Sequence, residues 1–126
     1  MFDIPDVMRM AQSMARHAAA RQSVIAENIA QADTPGYRAR DLPAFADSYH
    51  AAGGLRATRA GHLGGGAGPD GAAAQIDRVA PTRAPNGNTV SLEREMMRAA
   101  ENRQNHELAL AIYGSARTVL RTALGR

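Results

Sequence analysis

The side chains best suited to proton transfer or metal ligation in this chain are four histidines, His17, His50, His62 and His106. None stands within a helical turn of another, the spacing that lets one element present two ligands to zinc. Cysteine is absent, which excludes thiolate ligands, a thiol nucleophile and a disulfide framework. No serine carries the marks of an activated nucleophile. The run Gly64-Gly65-Gly66 lacks both the Gly-Lys-Ser/Thr ending and the preceding apolar strand of a phosphate loop. The residues therefore predict no catalytic site, no metal, no cofactor and no small-molecule substrate.

Charge excludes a further class. The formal net charge is +3, and all fifteen basic residues are arginine. They are scattered, with no cluster and no basic stripe interleaved with aromatics, so no nucleic-acid interface is expected. The absence of lysine reads as compositional bias of an alanine- and arginine-rich chain. The start, Met1-Phe2-Asp3-Ile4-Pro5-Asp6, has no basic region and no apolar run, so it does not read as a secretory signal peptide. No segment approaches the ~18 apolar residues of a membrane span. Taken alone, these features predict a cytoplasmic protein.

What remains is a set of elements that position one another. Val7, Ala11, Met14, Ala18, Ile25, Ile29 and Ala32 recur at steps of three and four, with a missing beat at Arg21. They form one narrow stripe on a helix over residues 5–32, ~40 Å long. Pro5 suits its first turn, and Asp3 and Asp6 suit the positive end of its dipole. The stripe is thin and alanine-rich, so most of the helix's order must come from partners.

The helix stops at Asp33-Thr34-Pro35-Gly36-Tyr37. Proline pushes Thr34 out of the helical region. Pro35 and Gly36 fit the central positions of a type II turn, glycine supplying the positive φ. Tyr37 then has a ring to bury and a hydroxyl to satisfy. Residues 43–51 read as a short helix starting at Pro43, with Phe45 and Tyr49 one turn apart and Gly53-Gly54 ending it. Residues 53–88 hold nine of the twelve glycines, and the only bulky apolar residues between His50 and Asn88 are Leu55, Leu63, Ile76 and Val79. That region cannot build a core. It reads as a mostly irregular outer segment with a short extended piece at 76–80.

A second long helix is expected over 91–124, with Ser91 as N-cap and Glu93 and Glu95 in its first turn. One apolar group is Leu92, Met96, Met97, Ala99 and Ala100. A second, from Leu108 through Ile112, Val119 and Leu120 to Leu124, covers more than half the circumference. Glu101 to Glu107 form a polar girdle between them. One thin partner helix cannot cover so broad a face, so other molecules must. The fold class predicted is mainly α: long N- and C-terminal helices packed antiparallel as a coiled-coil-like pair, joined by a Gly-rich, mostly irregular middle. The parts are 1–34, 35–88 and 89–126. Pairing Ala32 with Leu92 places Met14 near Leu110 and Arg21 in the girdle, in reach of Glu101 or Glu107.

The stretch Asn28-Ile29-Ala30-Gln31-Ala32-Asp33-Thr34-Pro35-Gly36-Tyr37 resembles the N-terminal signature of flagellar axial proteins, the group of rod, hook and hook-associated proteins. Arg38-Ala39-Arg40-Asp41 after it, and Gly87-Asn88-Thr89-Val90-Ser91-Leu92-Glu93-Arg94-Glu95-Met96 near the C-terminus, narrow the resemblance to proximal basal-body rod proteins. Leu55, Thr58, His62 and Leu63 also resemble that family. The likeness covers both terminal helices and thins in the Gly-rich loop. It departs at Gln31, where the family usually has asparagine, and at Ser91, often aspartate there; Ser91 remains a competent N-cap.

The resemblance implies a structural, non-enzymatic subunit. Such proteins leave the cell without a cleaved signal, through the flagellar type III apparatus. They build the rod that crosses the periplasm and carries torque toward the hook. The partners implied are other rod proteins, the inner-membrane ring and export-gate components, and further copies of the chain. Terminal helices of this family are expected to gain order on assembly. Val7, Met14, Ile25, Ile29, Met96, Leu108, Ile112, Val119 and Leu120 would carry the packing. Asn28, Thr34, Pro35, Gly36 and Tyr37 would fix the exit from the inner helix. Against this stand a different rod subunit and, from another class, a helical adaptor or nucleic-acid-binding module.

Overall fold

The computed structural model describes residues 3–52, 72–80 and 84–125, with residues 51 and 52 described by backbone only. The order is α1 (Ile4–Ala30), β1 (Arg40–Asp41), α2 (Phe45–Ala52), β2 (Gln75–Ile76) and α3 (Leu92–Ala123). The expected Gly53-Gly54 stop, the Leu55 to Leu63 motif and the Gly64-Gly65-Gly66 run lie outside the described residues.

Helix α1 begins at Ile4 and carries Pro5 in its first turn, with Asp3 in extended conformation at the N-cap and Asp6 in the first turn. The Asp3 carboxylate makes no capping bond; its backbone carbonyl accepts from the Asp6 and Val7 N–H groups instead. Helix α3 starts as predicted at Ser91, whose hydroxyl accepts from the Arg94 N–H.

The two long helices pair antiparallel. The Asn28 side chain meets Glu95, and the Ala18 carbonyl meets Asn102, so residue numbers fall along α1 as they rise along α3. This register lies within one helical turn of the pairing drawn from the sequence.

The residues that fill the seam are not the ones the apolar pattern selects. On α1 the buried positions include Ala11, Ala18, Ile25 and Asn28. On α3 they are Glu95, Asn102 and Ala109. Ala11, Ala18 and Ile25 are seven residues apart, as are Glu95, Asn102 and Ala109, the repeat of a coiled coil. Ile29, expected in the stripe, is 40% exposed, while its neighbour Asn28 is fully buried. A heptad seam holds 25 and 28, and residue 29 is rotated 100° past 28 to the rim. Leu92, Met96 and Met97 likewise stand outside the seam, the two methionines 69% exposed. Of the three bulkiest fully buried side chains, Ile25, Glu95 and Asn28, two are polar. Apolar area alone does not define this interface.

Beside the pair sits a two-stranded antiparallel ladder, Arg40 opposite Ile76 and Asp41 opposite Gln75. The sequence reading placed an extended piece at 76–80 but no strand at 40–41. The ladder continues by one bond, from the Asp77 N–H to the Ala39 carbonyl (2.9 Å). Helix α2 leans on α1 through His17. That ring is buried, its Nε2 donates to the Pro43 carbonyl (2.9 Å), and Phe45 stacks edge-on at 5.6 Å. Tyr49 follows Phe45 at 5.5 Å, the one-turn pair expected.

Candidate functional site

Where α1 ends, the chain turns a corner. The Tyr37 N–H donates to the Thr34 carbonyl at 3.3 Å, and Gly36 has φ +73°. Both features are those of a type II turn with Pro35 and Gly36 at its centre. Pro35 and Gly36 are exposed, so the turn is held from outside by the segment that leads into α3. The Gly36 N–H donates to the Asn86 carbonyl (3.0 Å), and the Thr89 N–H donates to the Tyr37 carbonyl (3.0 Å). Thr89 Oγ1 accepts from the Ala39 N–H (2.8 Å). Gly87, at φ +84°, approaches so closely that a Cβ there would lie 3.5 Å from the Gly36 Cα.

Asn88 ties this contact to the end of α1. Its amide nitrogen lies 2.9, 2.8 and 2.9 Å from the carbonyl oxygens of Gln31, Ala32 and Thr34. The carbonyls at a helix C-terminus have no partner within the helix, and Asn88 supplies one from 56 residues away in the case of Ala32. Its own Oδ1 accepts from the Val90 N–H (2.8 Å). Gln31 does not reach across; its side chain accepts from the Thr34 hydroxyl (2.6 Å).

Asn28 does the same work one turn earlier. Its Nδ2 donates to the Arg40 carbonyl (2.7 Å) and to Glu95 Oε2 (3.2 Å). Its Oδ1 accepts from the Arg40 N–H (3.0 Å) and the Tyr37 hydroxyl (3.1 Å). All four hydrogen-bonding positions of the amide are used, which is why it tolerates full burial. The Tyr37 hydroxyl thereby finds its partner.

From Glu95 the network becomes ionic. Glu95 Oε1 accepts from Arg98 Nη1 (3.0 Å), and Arg98 also meets Asp77 (2.5 Å) and Asp41 (3.7 Å). Arg94 meets Asp77 at 3.3 Å and donates to the Val79 carbonyl. Arg21 grips Asp41 with both prongs of its guanidinium, at 3.0 and 3.0 Å. Glu101 lies 4.0 Å from Arg21 and is largely exposed, while Glu107 pairs with Arg103 at 3.1 Å. The sequence reading looked for the Arg21 partner only on α3. The principal partner comes from β1, because the turn at Pro35-Gly36 folds Asp41 back onto α1.

Three arginines (Arg21, Arg94, Arg98) thus face three acids (Asp41, Asp77, Glu95), and the cluster is neutral. The hydrogen bond from Arg21 to Asp41 outweighs the effect of burial and raises the Arg21 pKa above its ordinary value. Burial by itself would lift the Asp77 carboxyl. The Arg98 and Val79 N–H bonds and the charges of Arg98 and Arg94 together outweigh it, holding Asp77 below the usual aspartate value. Each acid is committed to an arginine, so the arrangement positions backbone segments and has no carboxylate left for proton transfer. Among the described residues no cluster of histidine and acidic side chains could hold a metal ion, and no helix is long and apolar enough to cross a membrane.

The other sequence-selected residues divide into two groups. Ile25 is buried in the seam, and Val7, Met14, Ile112 and Leu120 are half-buried along it. Ile29, Met96, Leu108 and Val119 are exposed. Asn102 sits inside the supposed girdle yet is buried, its Nδ2 donating to the Ala18 carbonyl (2.8 Å) and Gln22 Oε1 (3.2 Å). His106, expected to be solvated or hydrogen-bonded, is half-buried with its Nδ1 enclosed and unpartnered among the described residues. Asn88, Glu95, Arg98, Asp41, Asp77 and Asn102 were not singled out from the sequence as network residues. The signals available were that Asn88 and Glu95 fall within the second motif and Asp41 within the run that follows the first.

The site is a polar corner at one end of a long helical pair, and it holds backbone segments in place. The family model for "Flagella basal body rod protein" matches residues 8–38, which span most of α1 and the whole turn. The chain is 37% identical over 107 residues to flagellar basal body rod protein FlgB of Cereibacter sphaeroides, covering 82% of each. Against FlgB of Salmonella typhimurium it is 34% identical over 118 residues, covering 86% of this chain and 85% of the relative. Against FlgB of Escherichia coli K12 it is 32% identical over 114 residues, with 82% of each covered. The chain belongs to the FlgB family of flagellar basal body rod proteins.

Proposed function

We propose that this structural rod subunit works by helix packing. The α1/α3 pair stacks against copies of itself and against neighbouring rod proteins to make a stiff tube, and the corner fixes how residues 35–88 leave that tube. In this reading 1–34 and 89–126 are the assembly helices and 35–88 the outer part. The chain is exported unfolded through the flagellar type III apparatus without a cleaved signal. It sits in the periplasm-spanning rod next to the inner-membrane ring and export gate, and passes torque toward the hook. It catalyses no reaction and needs no cofactor.

The observation that carries the reading is the outer surface of α3. Leu108, Leu110 and Val119 are each more than half exposed, as are Met96, Met97 and Leu124. A single small chain seldom leaves so many large apolar residues on one helix unless another molecule covers them. Beside them an open groove of about 580 Å³, floored by Ala18, Ala19, Ala99 and Ala100, leaves room for side chains of a neighbour.

The test is a Leu108→Ser/Val119→Ser variant in cells that lack the native copy. Both positions lie outside the intramolecular seam, so accumulation and export should persist while rods fail to form and motility is lost. Normal, motile flagella from this variant would overturn the packing role.

A further inference from the structure

We propose that the buried polar residues Asn28, Glu95 and Asn102 determine which stretch of the C-terminal helix the N-terminal helix accepts. They are the register-specifying positions of the α1/α3 seam.

The small residues of the seam leave its register open. Ala11 and Ala18 are one heptad apart on α1, both buried, and Ala109 and Ala116 are one heptad apart on α3. Sliding one helix past the other by seven residues, about 10 Å, replaces alanine by alanine at these layers. An alanine seam pairs comparably well in either position, because small side chains bury similar area and define few knobs and holes. Of the large apolar residues, Ile25 is buried in the seam, while Leu92, Met96, Leu108 and Val119 lie outside it and are exposed, so apolar packing opposes a slip at one layer.

The polar residues do not slide freely. Asn102 Nδ2 is bonded to the Ala18 carbonyl and Gln22 Oε1. Glu95 is 1% exposed and is held by Asn28 and Arg98. Asn28 is bonded on all four positions, two of them to Arg40 backbone that cannot follow α3. A one-heptad slip breaks the Asn28–Glu95 bond and carries Asn102 away from the Ala18 carbonyl and Gln22, so one position of the buried Asn28 amide, Glu95 Oε2 and the Asn102 amide lose the partners that this register gives them. Unpaired buried polar groups and charges cost far more than a changed alanine contact. A buried polar residue at a seam position is a known means of setting register at some cost in stability. Here three such residues on two layers act together. The inference concerns the pairing within one chain and holds whether or not the outer α3 face packs as proposed above.

The absence of cysteine makes the test clean. Ala109→Cys is combined in turn with Ile4→Cys, Ala11→Cys or Ala18→Cys, three α1 positions one heptad apart. Extending the Ala18–Asn102 contact by one heptad puts Ala11 across from Ala109, so the Ala11 pair reads the native register. The other two read a slip of one heptad in either direction, since a disulfide cannot span Cα atoms more than about 7 Å apart. Intrachain crosslinking is compared before and after Asn102→Leu, and before and after Asn28→Leu/Glu95→Leu/Asn102→Leu, at a protein concentration and temperature where circular dichroism shows both helices of the parent protein formed.

With the native seam the Ala11 pair alone should crosslink. In the leucine variants the slipped pairs should rise by about tenfold, the ratio that removing one buried polar penalty gives. Helicity is followed by circular dichroism, and if the triple variant loses its helices the single Asn102→Leu variant decides. Exclusive crosslinking of the Ala11 pair in a folded leucine variant would overturn the proposal.

Discussion

The Asn88 side chain is the partner of the last carbonyls of α1, reaching the Ala32 oxygen at 2.8 Å across 56 positions of sequence. A helix end on one terminal segment is thereby completed by a residue of the other. The two sequence motifs of the family, separated by the Gly-rich middle, meet at this amide, at the backbone bonds around Gly36 and Thr89, and at the Asn28–Glu95 bond. The corner is held together by both ends of the chain.

Asn88→Ala should therefore loosen the corner as well as weaken the fold. The Gln31, Ala32 and Thr34 carbonyls just past α1, which share the two amide protons of Asn88, lose that donor, at a cost of about 1–3 kcal/mol. The local reading is hydrogen exchange at the Gly36 and Thr89 amides, which bond across the junction. Their protection should fall by more than that of amides in the middle of α3. Unchanged protection at both would show that Asn88 is dispensable to the corner.

Gly36→Val tests the turn itself. Nothing lies within 4 Å of where a Cβ would be built, so a Cβ meets no clash there, and the principal effect is backbone strain at φ +73°. Left-handed geometry costs a residue with a Cβ roughly 1–2 kcal/mol, and more when it is β-branched. The chain should still be made at normal levels, while assembly and motility fall. Gly36→Asn, which tolerates this geometry better, should restore much of the loss. Motility assays and counts of complete basal bodies from the two variants decide the matter.

Asp77 gives the corner a predictable acid response. Its carboxyl titrates below the ordinary aspartate value when folded, so its ion pairs with Arg98 and Arg94 stabilise the docked state above the unfolded-state pKa of about 3.9. That contribution fades as pH falls through the lower folded value. The protection factor of the Asp77 amide, bonded to the Ala39 carbonyl, should hold steady from pH 7 to about 4 and drop below that. In Asp77→Asn the same amide should be less protected at neutral pH and should show little of the acid step. An acid step of equal size in both proteins would assign it to another group.

Much of the architecture was legible in the order of residues. Pro5, Ser91, Pro35 and Gly36 act on their own neighbours within a turn or two, and their effects survive into the fold as helix starts and a type II corner. Helical periodicity identified both long helices to within two residues at each end. Hydropathy was a poorer guide to the seam. It favoured Ile29 and Met96, whereas the fold buries Asn28 and Glu95. The reason is that a polar side chain is buried when partners await it, and those partners come from Arg40, Tyr37 and Arg98. For Arg21 the sequence pointed to Glu101 or Glu107, and Glu101 does lie 4.0 Å away. It did not point to Asp41, whose two-pronged contact exists only because β1 folds back onto α1.

By itself the sequence determined the helices, the turn, the want of any catalytic or metal-binding pattern, and the resemblance to flagellar rod proteins. These depend on chemistry between residues close along the chain, or on motifs that stand whole in one stretch. The tertiary structure alone decided which polar groups are interior, that Asn88 completes α1, and that three arginines and three acids neutralise one another at the corner. Those facts depend on segments far apart in sequence arriving at one place, where the low dielectric makes each unpaired group costly and so selects one arrangement.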